Sequence, residues 1–403
     1  MFMRIFIIII LLSTFFSSCC KINYIDPEIN NPVMDSLPYK LIWETPLFFD
    51  TTGSYSPHFP PVIIDDVVIF ASNHLHDERI DYVKAYDLKT GEVKWTWSDY
   101  KIIERWTSSI CNNKDYLFVS SGEEIYGIDI RTGKTMLERR TKYSTQLISN
   151  YETLLFYSES YNDSDSSSMF MYDLNKGYWK EIFKTYKKDG FSANLYPPSV
   201  EIIENNDTLL YFQNRGYKSS EYIESSELYC YNMTKDTVLW KISRVDSLVS
   251  NINNPPLIDD KHVYFLTAKT FHCYDKKTGD VVWETYFSGT NFLTSNYLLS
   301  DDKVIVCGDN GELIGVYKDS GKVAYSDDIN TDALHITLYK NWVITTYRTG
   351  LDILDEDTGH TLHSWDPHRS PGEFNTGVAV DELTGYMYVS DGFFMECIEF
   401  PEK

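Results

Sequence analysis

Ala85-Tyr86-Asp87-Leu88-Lys89-Thr90-Gly91-Glu92-Val93-Lys94-Trp95 is the stretch whose reading decides the fold. It returns, little changed, as Cys273-Tyr274-Asp275-Lys276-Lys277-Thr278-Gly279-Asp280-Val281-Val282-Trp283. In both copies the tryptophan stands eight residues after the aspartate. The string suits a tight hairpin. The aspartate side chain can accept bonds from backbone N–H groups two residues on, and glycine takes the positive φ that such a turn needs. The strand that follows carries the tryptophan, placed to cover apolar area on the neighbouring repeat.

Degenerate copies stand at Asp129–Gly133, Asp173–Gly177, Asn232–Asp236, Tyr317–Gly321 and Asp355–Gly359, the third of these followed by Trp240. Most anchors recur every 40–45 residues or so, the span of one four-stranded propeller blade. Each repeat also holds two earlier strands rich in β-branched and aromatic residues, such as Pro61–Ile64 with Val67–Phe70, or Pro256–Ile258 with Val263–Leu266. The last repeat has three strands, ending in Phe394–Ile398, and no tryptophan strand follows it. An orphan tryptophan strand, Leu41-Ile42-Trp43-Glu44, stands near the start. Joining the two gives the expected fold: an all-β, eight-bladed β-propeller of four-stranded antiparallel blades, closed by an N-terminal strand that completes the C-terminal blade. Closure of this kind removes the exposed edges of the ring. The residues that carry this reading are Asp87, Gly91, Trp95, Trp240, Asp275, Gly279, Trp283 and Trp43.

The first residues, MFMRIFIIIILLSTFFSSCC, place Arg4 before an apolar run from Ile5 to Phe16. A spanning helix needs about 20 such residues, so this segment is expected to be a signal peptide. It ends in Phe16-Ser17-Ser18-Cys19, similar to a bacterial lipobox. Residues 1–18 are therefore expected to be removed, and Cys19 to carry the lipid. Each buried CH₂ of an acyl chain contributes about 0.8 kcal/mol, so two or three chains anchor stably. Cys20, and not Asp, follows Cys19, which in enteric-type sorting directs a lipoprotein to the outer membrane. Residues 19–38, with Pro27, Pro32 and Pro38, read as a tether spanning roughly 25 Å as a flexible coil, and 39–403 as the propeller.

Composition narrows the partners. The 403 residues carry a formal charge of −23, which opposes contact with nucleic acid and with anionic lipid. Membrane contact must come from the anchor.

The Asp-x-x-Thr-Gly-x-x-x-Trp string resembles the pyrroloquinoline-quinone (PQQ)-like repeat, and the resemblance covers residues 39–403. Two families share that propeller, the quinoprotein dehydrogenases and the BamB-like lipoproteins of outer-membrane protein assembly. The lipobox, the length and the blade count are similar to the second. That resemblance implies a non-enzymatic, monomeric scaffold lipoprotein on the outer membrane, facing the periplasm or the cell surface. Its partner would be another envelope protein, with outer-membrane assembly components as the precedent. Two other classes stay open: a carbohydrate- or small-ligand-binding propeller, and a PQQ-dependent dehydrogenase. Many such dehydrogenases carry a disulfide between adjacent cysteines beside the quinone. The one adjacent pair here is Cys19-Cys20, which the lipobox absorbs.

No cofactor or metal is expected from the motifs. His74-x-His76 with Asp77 and Glu78 lacks an evident further ligand, and Asn162–Ser167 lacks the Gly and Glu of a Ca²⁺ loop. The chain holds no Gly-rich phosphate loop, nucleophile elbow or His-Glu-x-x-His helix, so no catalytic residue is assigned. Cys111, Cys230, Cys273, Cys307 and Cys397 are odd in number, and three of them fall two residues before a repeat anchor, where a small apolar residue is wanted; free buried thiols are expected.

Chain connectivity supplies the functional expectation. In an antiparallel four-stranded blade, labelled A to D from the axis outward, the A–B and C–D turns share one face. The B–C loops and inter-blade segments share the other. Insertions fall on the second face, at Asn73–Asp81, Ser158–Ser168 and Asn214–Ser226 between B and C, and at Ser98–Trp106, Thr185–Tyr196, Arg244–Asn254 and Asp366–Asn375 between blades. Elaborated loops on a rigid scaffold are where recognition tends to reside. Arg105, Trp106, Arg215, Tyr217, His368 and Arg369 are the partner-binding candidates, because arginine and aromatic residues dominate interface hot spots.

Overall fold

The computed structural model describes residues 38–47, 59–71, 83–98, 107–142, 148–160, 166–187, 191–203, 205–218, 223–246, 255–290, 292, 297–308, 310–329, 335–347, 350–367, 374 and 376–401. All regular elements among them are strands, and they form eight antiparallel sheets arranged as the blades of a ring. Blade 1 is Val62–Ile64, Val67–Ala71, Val83–Asp87 and Val93–Trp97 in chain order. The other blades repeat that order, and blade 4 adds a two-residue strand, Asn194–Leu195, beside its inner edge. Blade 8 takes its outer strand from the other end of the chain: Leu41–Pro46 pairs with Phe394–Glu399, and Trp43 lies opposite Cys397. The expected closure is therefore the one observed.

The repeat string does what its chemistry predicts. The Asp87 carboxylate accepts the N–H groups of Lys89 and Thr90 at 2.9 and 3.0 Å, and Asp275 accepts those of Lys277 and Thr278, both at 2.9 Å. Gly91 and Gly279 hold φ of 71° and 75°.

The outer-strand tryptophans Trp43, Trp95, Trp240 and Trp283 then seal their blades to the next. Trp95 donates its indole N–H to the Ile130 carbonyl, in the turn of blade 2, at 2.7 Å. Trp43, Trp240 and Trp283 donate to Leu88, Lys276 and Lys318 at 2.9, 3.0 and 2.8 Å. Their rings cover the turn glycines so closely that a Cβ built on Gly91, Gly133, Gly279 or Gly321 would lie 2.5–2.8 Å from the ring above it. Tyr325 covers Gly359 in the same way. The glycine thus serves two demands, positive φ and the room the ring occupies.

Blade 3 is sealed in the opposite sense. Blade 2 offers Leu137 where a tryptophan is expected, opposite Gly127. Trp179 of blade 3 faces back instead, in one cluster with Leu137 and Phe118, and Arg139 of blade 2 lies over its ring at 5.2 Å. At the next seam Phe183 of blade 3 meets Phe212, Tyr229 and Tyr231 of blade 4 edge-on, with centroids 4.9–5.3 Å apart. The Tyr231 hydroxyl reaches the Ile182 carbonyl at 2.9 Å. Among the described residues no tryptophan covers the turn of blade 4, and that turn carries Asp236, at φ 53°, in place of glycine.

The five described cysteines are free. Cys230, Cys273 and Cys397 stand directly opposite Trp240, Trp283 and Trp43 on the partner strand, the small apolar site expected of them. Burial pushes each of these three thiols up to about 12.

Candidate interaction face

The two faces differ in construction. On one, the A–B and C–D turns are tight, as in Asp65-Asp66 and Asp87–Gly91. On the other, the strands of blades 3 and 4 continue past their neighbours. Blade 4 runs through Thr208–Lys218, Ile223–Asn232 and Thr237–Asp246, of 11, 10 and 10 residues, against 5 or 6 for the corresponding strands of blade 5. At about 3.3 Å per residue, four extra residues raise a wall roughly 13 Å above the ring. The stretches expected as loops, Ser158–Ser168 and Asn214–Ser226, are therefore mostly strand, the described residues 158–160, 166–168, 214–218 and 223–226 all lying in strands. Their polar residues suggested loop, but alternate residues are buried: Ser166–Asp173 alternates half-buried and buried along its length.

A buried polar network holds the wall upright. Arg215, 3% exposed, donates its Nε–H to Gln213 Oε1 at 2.9 Å and lies 3.5 Å from Glu224. Its guanidinium also sits over the Tyr196 ring at 5.6 Å. Ser226 donates to Glu224 at 3.0 Å. One layer further in, Asn214 donates to Glu227 at 2.7 Å, and Lys187, from the end of blade 3, pairs with the same carboxylate at 3.3 Å. Burial alone would raise the Glu227 carboxyl, but the Lys241 hydrogen bond and the Lys187 charge hold it below its ordinary value. Burial lowers Lys187, with Glu227 opposing. A buried pair that loses one partner costs several kcal/mol, so removing any one of these charges is expensive.

The sequence-derived candidates divide accordingly. Arg215 is an internal brace of the wall, and its charge is spent inside it. Tyr217 is half-buried one turn of the pleat higher, and its N–H donates to the Ser192 hydroxyl oxygen at 3.0 Å. Arg105, Trp106, His368 and Arg369 lie outside the described residues, as do Cys19, His74, His76, Asp77 and Glu78. Glu224, Glu227 and Lys187 were not legible as a set. They are far apart in sequence, and only the paired register brings them together.

The wall is also tied to blade 5. Arg244, from its outer strand, pairs with Glu284, which accepts or shares a proton with His272 Nδ1 at 3.0 Å. His272 is buried, and burial holds its pKa down to about 4 despite Glu284. The folded state therefore binds the proton less readily than the unfolded chain. This contribution to stability is intact above about pH 6.5, the ordinary histidine value, and declines as pH falls from there towards 4. His272→Gln is expected to flatten the urea-midpoint profile across that window; a profile unchanged by the substitution would refute this assignment.

Among the described residues, no three His, Cys, Asp or Glu side chains converge on a point that could hold a metal ion, and no two cysteines are adjacent. These residues do not fit a Ca²⁺–quinone centre, and no reaction step is derived through one.

Residues 224–364 match the sequence model of the family described as outer membrane protein assembly factor BamB. No curated protein matches the chain in sequence. Among solved structures, BamB from Moraxella catarrhalis superposes with a TM-score of 0.62 at 12% identity, over 90% of this chain and 100% of that one. Quinohemoprotein alcohol dehydrogenase from Comamonas testosteroni gives 0.61 at 10% identity, over 90% and 77%. The C-terminal WD40 domain of Sif2 gives 0.62 at 8% identity, over 90% and 99%. Identities this low speak to the fold alone. The chain is an eight-bladed propeller of PQQ-like repeats whose residues 224–364, from blade 4 into blade 7, match the BamB family.

Proposed function

We propose that this chain is a non-enzymatic envelope lipoprotein: residues 1–18 a signal peptide, Cys19 the acylated residue, 19–38 a tether and 39–403 a scaffold that presents its loop-rich face to another envelope protein. The observation that carries the reading is the raised wall of blades 3 and 4. Among the described residues it projects from one face, it is braced internally by Arg215 and Glu224, and part of it lies in the segment that matches the BamB family. A rigid, elaborated platform is what recognition of a macromolecule requires. Outer-membrane protein assembly is the role the family match favours.

The experiment is a mild-detergent pull-down of the tagged lipoprotein from native membranes. Barrel-assembly components are expected to co-purify. Tyr217→Ala, which removes a contact side chain and leaves the Arg215 brace in place, is expected to lower their recovery about 5- to 10-fold, as a hot-spot loss of 1–1.4 kcal/mol or so would. Recovery of glycan-handling proteins alone, or of nothing, would sink the reading.

A further inference from the structure

The closing strand has a direction. Leu41 pairs with Ile398 and Pro46 with Phe394, so the chain enters blade 8 at the tight-turn face and runs towards the loop face. The entry point is fixed by two contacts. Glu399 donates its N–H to the Lys40 carbonyl at 2.9 Å, and the Lys40 ammonium pairs with the Glu399 carboxylate. Residue 38 thus leaves the ring on the tight-turn side, and 18 residues of chain lie between Cys19 and it.

Beside that exit stands an unusual turn. Phe400 donates its N–H to Gly385 at 3.3 Å, which brings the A–B turn of blade 8, Asp381-Glu382-Leu383-Thr384-Gly385, alongside the entering strand. The turn is rigidly built. Asp381 accepts the Leu383 N–H at 3.1 Å and the Thr384 hydroxyl at 2.6 Å, and its carbonyl accepts the Gly385 N–H at 2.7 Å. Leu383 at the tip is 96% exposed, the most exposed large apolar side chain among the described residues. The A–B turns of other blades put polar or charged residues at the tip, as in Asp65-Asp66, Asn205-Asn206, Asp301-Asp302 and Lys340-Asn341. Only in blade 8, next to the point where the chain departs, does a leucine stand there.

We propose that this corner of blade 8 is the membrane-facing surface of the propeller. Leu383 rests in the outer layer of a zwitterionic bilayer, and the loop-rich face is turned away from the lipid towards its partner. The inference rests on the lipid-anchor reading of Cys19. A net charge of −23, with Asp381 and Glu382 beside the leucine, selects a zwitterionic over an anionic surface. One leucine would not hold a free protein on a membrane. A tether of this length keeps it at an effective concentration on the order of millimolar, where a weak contact suffices to set orientation.

The test uses the full-length acylated protein on phosphatidylcholine vesicles containing lipids with a shallow quencher. A thiol fluorophore is placed by Glu382→Cys, next to the leucine, or by Tyr286→Cys, at the loop-face end of an outer strand, each in a Cys20→Ser background. Quenching several-fold stronger at 382 than at 286 is expected, and Leu383→Asp should reduce it towards the 286 level. A protein that floats with the vesicles and shows equal quenching at both positions, or quenching at 382 indifferent to Leu383→Asp, overturns this proposal alone. A protein that does not float overturns the anchor reading, and the proposal with it.

Discussion

Gly279→Ala is expected to destabilise the propeller by about 2–5 kcal/mol, and Gly177→Ala by only about 1–2 kcal/mol, although both glycines hold nearly the same positive φ. The φ values are 75° and 67°. An L-residue in that region costs about 1–2 kcal/mol, and this part is common to both. The difference lies in what covers the turn. A Cβ on Gly279 would lie 2.8 Å from the Trp240 ring, whereas the nearest atom to one on Gly177 is the Tyr172 hydroxyl at 3.9 Å. The Trp240 ring can move away only by giving up its hydrogen bond to Lys276 and its packing, which adds roughly 1–3 kcal/mol. The protein contains its own control in Asp236, which occupies the glycine position at φ 53° where no tryptophan stands above it. Urea unfolding of both variants and of Trp240→Leu alone and with Gly279→Ala completes a double-mutant cycle. Coupling of about 1 kcal/mol or more between 240 and 279 is expected. Equal losses for the two glycines would mean that backbone strain alone explains the repeat.

The same contrast shows what the sequence could and could not reveal. Asp87, Gly91 and Trp95 form a local string whose parts act together over a few residues, so their pattern carries the turn, the strand and the inter-blade contact at once. The orphan strand around Trp43 was legible for the same reason, once the last repeat was found to lack its own. Blade 3 was legible only as a blade. Trp179 and Glu181 sit where the repeat is least regular, and nothing local says that Trp179 packs backwards onto Leu137 and under Arg139. The wall was misread because strand propensity favours β-branched and aromatic residues, while Asn214–Ser226 is rich in Ser and Glu. Its strand character comes from pairings such as Arg215 with Ser226 and from the ion pair of Arg215 with Glu224. That information is tertiary. For the candidate face, sequence reasoning treated Arg215 as a contact residue, whereas its guanidinium is enclosed.

Trp43→Ala is expected to cost about 3–5 kcal/mol, the range for emptying a buried tryptophan site. It should also do something the equivalent change at Trp240 does not. Trp43 is 8% exposed. It packs against Gly91, donates to the Leu88 carbonyl at 2.9 Å, and lies 5.8 Å from Tyr388, whose hydroxyl donates to the same carbonyl at 3.1 Å. Thr45, two residues on, donates to Gly91. These contacts hold blade 8 to blade 1, and the strand that makes them is joined to blade 8 only by non-covalent contacts, because its chain continues into blade 1. Trp240, by contrast, belongs to a strand that follows its own blade through a four-residue turn. Loss of Trp43 should therefore loosen the closing strand locally before the ring unfolds. Native-state hydrogen exchange is expected to show Leu41–Pro46 and Phe394–Glu399 losing protection together, while the sheets of blades 4 to 6 keep theirs. Trp43→Phe separates the two contributions: the ring is largely kept and the N–H bond is lost, for about 1 kcal/mol. Uniform loss of protection across all blades would mean instead that closure and core unfold as one unit, and that the N-terminal strand is no weaker a link than a covalent hairpin.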